Sequence, residues 1–311
     1  MAAPDSTAEA VLFLEKLDHA LLAQNTHKGY RADWRIFRRW CDSEGLAALP
    51  ATPETLALYI AVRLTMPRKV STVRRHVCAI GYMHKRAGLD SPVTAHVCEL
   101  LRGARRLRQE RVRQMKPLTL DDLRAIAAAL AVEDTPIAAR DRAIVLVGFA
   151  SALRSASLVD LTLQDAEFGE KGLTLAIRRE KTDQEGKGRL IGVPFGHNGT
   201  CPVAALQAWV ARRGSYAGPL FTVCNGGDTR RAMQAEQVCR IVQGCLVRIG
   251  RDPDGYGSHS IRSGFVTAAG EQNVSDLLIA AQTGHRDIAT LRGYFRRTDV
   301  FRANACAMLG L

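Results

Sequence analysis

The chain has 311 residues, 47% of them apolar and 24% charged, with a net charge of +12 and eight cysteines. This is the composition of a water-soluble globular protein of about two domains, and no apolar run approaches the roughly 20 residues of a membrane span. The N-terminal residues lack the basic and apolar stretches of a secretory signal, and the cysteines, with no Cys-x-x-Cys pair, read as reduced thiols serving mostly as small core residues.

The charge is unevenly placed. Residues 1–116 carry 20 Lys and Arg against 11 Asp and Glu, whereas residues 117–311 carry 23 against 20. A basic first module joined to a near-neutral second one fits a protein whose N-terminal part helps hold a polyanion.

The first module reads as helical. Leu14, Leu17, Leu21 and Leu22 follow a helical period, and Gln24-Asn25-Thr26 interrupts it. A second helix carries Tyr30, Trp34, Phe37 and Cys41 and stops at Gly45; its aromatic stripe at helical spacing is a core face rather than a base-stacking platform. Thr52-Pro53-Glu54 supplies a cap and a first-turn proline for a third helix through Leu56, Tyr59, Ile60 and Arg63. Ser71 is expected to cap a fourth, with Val73, Val77, Ile80 and His84 on one face, ending near Gly88. A fifth runs from about Val93 to Leu107. The candidate DNA contacts on these helices are Arg38, Arg39, Arg68, Lys69, Arg74, Arg75, Lys85, Arg86, Arg105 and Arg106, each of which alone reads as a solvated charge and only the set as a DNA-binding face.

Residues 109–117 are polar and basic and end in proline, as an interdomain linker would. Thr119-x-x-Asp122 then forms a capping pattern ahead of a helical stretch that includes the apolar run Ala143 to Phe149. The pattern changes at Leu173, Leu175 and Ile177, which alternate; Lys181 to Gly188 turns, and Leu190 to Val193 follows, predicting a β-hairpin with a long polar loop. From about Pro202 onward helices resume.

Six residues in this second part could form a reaction centre for a phosphodiester. Arg154 follows an apolar helix end, so it is paired or faces a cleft, for instance through a salt bridge with Asp160. Lys181, with Lys187 as the fallback, lies in the hairpin loop. His259 and Arg262 are three apart and so share a helix face, with Ser258 or Ser260 available as a cap. His285 follows Gly284, which permits close backbone approach. Tyr294 stands nine residues later among Arg292, Arg296 and Arg297. Arginines can clamp non-bridging oxygens in bidentate fashion, a tyrosine oxygen can attack phosphorus, and lysine and histidine can move protons.

The order Arg, Lys, His-x-x-Arg, Gly-His, Tyr resembles that of the tyrosine recombinase (phage-type integrase) family, strongly over about 140–300 and more weakly over about 10–105. The resemblance implies a mainly α fold: a helical core-binding (SAM-like) domain over 1–108, a linker over 109–117, and a mixed α/β, mostly helical catalytic domain over 118–311 with a small sheet or hairpin and a tail helix at about 299–311. It implies Arg154 and Arg262 as phosphate clamps, Lys181 as general acid toward the 5′ oxygen, His259 as proton acceptor or phosphate donor, His285 as a neutral donor to the phosphate, and Tyr294 as nucleophile. One position departs from the family: where an acidic residue often lies, three after the first arginine, this chain has Ser157.

Carried further, the resemblance implies a Cre- and Xer-like site-specific recombinase without an arm-binding domain. Such an enzyme would form a 3′-phosphotyrosyl DNA intermediate and exchange strands through a Holliday junction. It would use no metal or other cofactor and would work as a homotetramer on two duplexes with inverted-repeat core sites. The tail residues Val300, Phe301, Ala305, Met308 and Leu309 would dock on a neighbouring subunit. A cytoplasmic, nucleoid-associated role in integration, excision or resolution of a mobile element is expected, with no membrane partner. The competing readings are a type IB topoisomerase and a DNA-binding protein whose site has decayed.

Overall fold

The computed structural model describes residues 24–110, 114–178, 180, 188–197, 199–224, 230–285, 287 and 291. The expected first helix (Leu14 to Leu22), Lys181, Lys187, Tyr294 and the apolar tail lie outside the described residues. The chain divides into two compact units, Met1–Val112 and Arg113–Leu311.

The first unit contains four described helices: α1 (Gln24–Glu44), α2 (Pro53–Thr65), α3 (Val70–Arg86) and α4 (Ala95–Arg108). Helix α1 packs on α3, and α2 packs on both α3 and α4. Phe37, Cys41, Leu56, Tyr59, Ile60, Val73, Val77, Ile80, Val97 and Leu101 form the core, each large side chain adding about 1.5–3 kcal/mol by leaving water. The aromatic stripe of α1 is thus core, as its spacing predicts.

Thr52 caps α2 by accepting from the Thr55 backbone N–H at 3.2 Å. Ser71 does not cap α3, contrary to expectation: the helix begins one residue earlier, and Lys69 at its boundary makes no side-chain cap. The Val70 N–H donates instead to the Glu110 carboxylate at 3.0 and 3.1 Å, so the cap arrives from beyond α4. Arg108 at the end of α4 makes the converse contact, donating to the backbone carbonyls of Leu64, Met66 and Arg68 where α2 ends. A polar cluster lies inside this unit: buried Asp33 accepts from Arg75 at 2.7 and 2.9 Å and pairs with His76, whose Nδ1 is 2.7 Å from the Tyr59 hydroxyl.

The second unit begins its helices with α5 (Leu120–Ala131), entered through a reciprocal cap between Thr119 and Asp122, and α6 (Pro136–Ser151). The central run of α6, from Ala143 to Phe149, is buried all round. It packs on α5, on α8 (Pro202–Arg213) and on α10 (Ser258–Glu271). Short α7 (Ser155–Val159) and a 3-10 turn (Leu163–Asp165) lead into an antiparallel sheet of β1 (Ala166–Gly169), β2 (Gly172–Ile177) and β3 (Arg189–Pro194), in the order β1-β2-β3. Leu173 pairs with Val193 and Leu175 with Ile191, so alternate side chains of both strands enter the core. Strand β1 is an addition to the expected hairpin. Helices α9 (Ala235–Arg248) and α11 (Asp276–Thr283) complete the described elements.

Helix α10 is drawn against the start of the unit at Gly264, where an added Cβ would lie 2.2 Å from the Leu118 carbonyl oxygen. The Leu118 N–H donates to the Ser260 carbonyl at 2.9 Å, and Ser260 Oγ accepts the Gly257 N–H at the helix entrance. Of the seven described cysteines, all free thiols, only Cys41 and Cys245 are buried, whereas Cys78 and Cys98 are exposed. Cys201 and Cys224 are half-buried against the core of the second unit, so four of the seven lie in or against a core, whereas Cys78 and Cys98 fall on the outward faces of α3 and α4. Cys201 does another job, its sulfur accepting the backbone N–H groups of Gly196 and Ala204 at the start of α8. No described helix is long and apolar enough to cross a membrane.

Candidate active site

Three of the six predicted residues come together in the second unit. Helix α6 ends at Ala152, a non-glycine residue with φ of 50°, a left-handed backbone that costs a residue with a Cβ roughly 1 kcal/mol. The following Arg154 stands at the N-terminal boundary of α7.

Arg262, from the second turn of α10, is 2% exposed. Its Nη1 donates to the Ala152 carbonyl at 2.6 Å, and its Nη2 lies 3.1 Å from His285 Nε2. Because a guanidinium only donates, Nε2 accepts and the imidazole proton sits on Nδ1. Nδ1 is 2.7 Å from Thr283 Oγ1, and that hydroxyl is 2.6 Å from the Ile279 carbonyl. The chain of donors therefore runs from the ring to the threonine hydroxyl to the helix backbone and holds the ring plane, while the Arg262 donor at Nε2 selects the tautomer.

The His285 pKa is lowered from 6.5 to about 4, first by burial and then by the nearby charges of Arg262 and Arg154; the Glu180 carboxylate opposes the shift and Arg189 adds to it. The ring is thus neutral at neutral pH. Gly284, which ends α11 with φ of 69°, is required on two counts. A side chain there would be strained by the backbone, and its Cβ would stand 2.7 Å from Glu180 Oε2 and 3.0 Å from Arg189 Nε.

Arg154 does not pair with Asp160. The acid beside it is Glu180, whose Oε1 is 3.9 Å from Arg154 Nη1. Asp160 has its pKa raised by burial alone. Arg154 Nη1 is buried without a hydrogen-bond partner among the described residues, which leaves an N–H group that an anion can satisfy. His259 and Arg262 are one turn apart as expected, yet their surroundings differ: His259 is exposed in the first turn, whereas Arg262 is interior. Lys181 and Tyr294 lie outside the described residues. The predicted DNA contacts Arg38, Arg39, Arg68, Lys69, Arg74, Arg75, Lys85, Arg86, Arg105 and Arg106 are all exposed, and Arg75 is already engaged with Asp33.

Sequence reasoning missed Glu180 and Arg189. Arg189 opens β3, grips Glu180 from Nε and Nη2 at 3.0 and 3.3 Å, and donates from Nη1 to the Ala281 and Gln282 carbonyls at 3.0 and 3.1 Å. Gln282 Nε2 donates to the Ala150 carbonyl at 2.8 Å. The hairpin, the end of α6 and the end of α11 are thereby tied around His285. The only sequence signal was an acid between two basic residues at the edge of an apolar strand.

A buried Arg262, a partly buried Arg154 and a neutral His285, on a helical unit with a small antiparallel sheet, form the kind of site expected of a DNA-breaking and -rejoining enzyme of the tyrosine recombinase type. Residues 116–300 match the phage integrase family, and the chain belongs to that family. It is 31% identical to the integrase/recombinase XerD homolog of Selenomonas ruminantium, over 91% of this chain and 84% of that protein. It is 27% identical to the tyrosine recombinase XerD of Ralstonia nicotianae, over 94% and 90%. Among solved structures, its fold is similar to that of the Tn1549 transposon integrase in complex with transposon right-end DNA, with a TM-score of 0.66 at 15% identity over 96% of this chain and 98% of that one.

Proposed function

We propose that the chain performs site-specific strand exchange on double-stranded DNA through a covalent 3′-phosphotyrosyl intermediate at Tyr294. The observation that carries this reading is the convergence of Arg154, Arg262 and a neutral His285, with an N–H on Arg154 that has no acceptor among the described residues. Such a site is suited to a phosphate whose charge grows during reaction.

In the proposed step, Tyr294 Oη attacks phosphorus while the bond to the 5′ oxygen breaks. Lys181 protonates the departing 5′ oxygen, and His259 accepts the tyrosine proton. Arg154 and Arg262 take up the charge on the non-bridging oxygens. For His285 to donate to the phosphate, Arg262 Nη2 must leave Nε2 for a phosphate oxygen, the ring proton must move from Nδ1 to Nε2, and the Thr283 hydroxyl must turn from the Ile279 carbonyl to donate to Nδ1. The Thr283 hydroxyl can serve either tautomer because it both donates and accepts. The 5′ hydroxyl of a partner strand then attacks the phosphotyrosine, restoring a phosphodiester and releasing Tyr294.

Two such exchanges in sequence pass through a Holliday junction and require four protein copies on two duplexes with inverted-repeat core sites. The exposed basic residues of the first unit supply phosphate contacts that hold the duplex. The products would be integration, excision or resolution of a mobile element in the cytoplasm.

The test is a covalent-trapping assay with nicked duplexes drawn from DNA flanking the gene. The wild type should give a protein–DNA adduct on a denaturing gel, and Tyr294→Phe should bind the same DNA without forming one. An adduct that persists in Tyr294→Phe would contradict the assignment. Supercoil relaxation with no recombinant product would favour the topoisomerase reading.

A further inference from the structure

Ser157 leaves Arg154 without the acidic residue that the resemblance associates with its helix, yet a carboxylate reaches this arginine from elsewhere. Glu180 stands beyond the end of β2 with a side chain 5% exposed. A buried carboxylate is tolerated only when paired, and here Arg189 holds both of its oxygens at 3.0 and 3.3 Å. Arg189 is fixed in turn by the carbonyls at the end of α11. The acid is therefore anchored from the hairpin and from the helix leading to His285, and its Oε1 faces Arg154 Nη1 at 3.9 Å. That distance is an ion-pair contact and not a hydrogen bond, so it orients the guanidinium while Nη1 has no hydrogen-bond acceptor among the described residues. Gly284 keeps the space clear, since any side chain there would strike Glu180 and Arg189.

We propose that Glu180 is a positioning residue that holds the Arg154 guanidinium ready for the scissile phosphate, supplying from the hairpin the negative charge that position 157 lacks. The proposal rests on the recombinase reading above. Glu180 acts through Arg154 and does not touch the phosphate. It also joins the setting of this arginine to the hairpin that carries Lys181, so that displacement of the hairpin end would disturb Arg154.

The test is a double-mutant cycle in the full-length protein, read as single-turnover cleavage of a nicked core-site duplex. Glu180→Gln should slow cleavage by roughly tenfold or more in the wild-type background, with DNA affinity changed by no more than about twofold. In the Arg154→Ala background the same substitution should cost nothing further. Glu180→Asp keeps the charge and the Arg189 pair but lengthens the reach to Arg154. It should show the same pattern more weakly, and it serves should Glu180→Gln fail to fold. Wild-type cleavage by a folded Glu180→Gln variant overturns the proposal. So does an equal slowing in both backgrounds, which would make Glu180 a support of the fold. Absence of any adduct from the wild type on bound DNA would instead sink the recombinase reading itself.

Discussion

His285 stays uncharged because burial and two arginines make a proton there costly, and the consequence can be measured as stability. Its pKa of about 4 in the native state lies below the ordinary 6.5. Between those values the unfolded chain binds a proton that the native site refuses, so the native state loses stability as pH falls from 6.5 toward 4 and is unaffected by this group above that range. The urea midpoint of the wild type should therefore fall more across this window than that of His285→Asn, and parallel curves would contradict the assignment. Removing the Thr283 hydroxyl acts on the same ring. Thr283→Val leaves Nδ1 without its partner at 2.7 Å, and cleavage should drop by roughly tenfold with binding retained. Arg154→Ala should cost roughly a hundredfold or more in cleavage, about 3–4 kcal/mol of charge stabilisation; a normal single-turnover rate would remove Arg154 from the site.

At the scale of elements, close packing of backbone decides where the site residues fall. Gly264 lets α10 lie against the Leu118 carbonyl, and α10 carries Arg262. Gly264→Ala must shift that helix, with a loss of about 1–3 kcal/mol from overpacking, measurable as a lower urea midpoint, and a cleavage defect should accompany it. An unchanged midpoint would show that the contact yields easily.

Local patterns made much of this legible. The helix starts at Thr52 and Thr119, the stop at Gly45, the alternation of Leu173, Leu175 and Ile177, and the motif order around Arg154, Arg262 and His285 are all signals within a few residues. What escaped is non-local. The cap of α3 comes from Glu110, and the acid beside Arg154 comes from beyond β2. In both cases a nearer residue, Ser71 or Asp160, was the natural choice from spacing alone. Strand β1 escaped because Ala166–Gly169 is four residues long and alternates only between partly buried and exposed positions.

At the scale of the whole molecule, most of the excess positive charge lies in residues 1–116, with 20 Lys and Arg against 11 Asp and Glu, and the ten candidate contacts of the first unit are exposed. DNA binding should accordingly weaken by roughly a thousandfold or more between about 50 and about 200 mM salt if several phosphates are contacted. A binding constant insensitive to salt would contradict that role. The central claim, however, concerns a single bond. Its most direct measurement is the mass of the trypsin fragment that carries the DNA after cleavage of a nicked duplex. Trypsin cuts after Arg292 and Arg296, so the account predicts that the tetrapeptide Gly293-Tyr294-Phe295-Arg296 bears the 3′-phosphonucleotide. A phosphonucleotide on any of the other five tyrosines, or a cleaved duplex with no modified peptide, would contradict it.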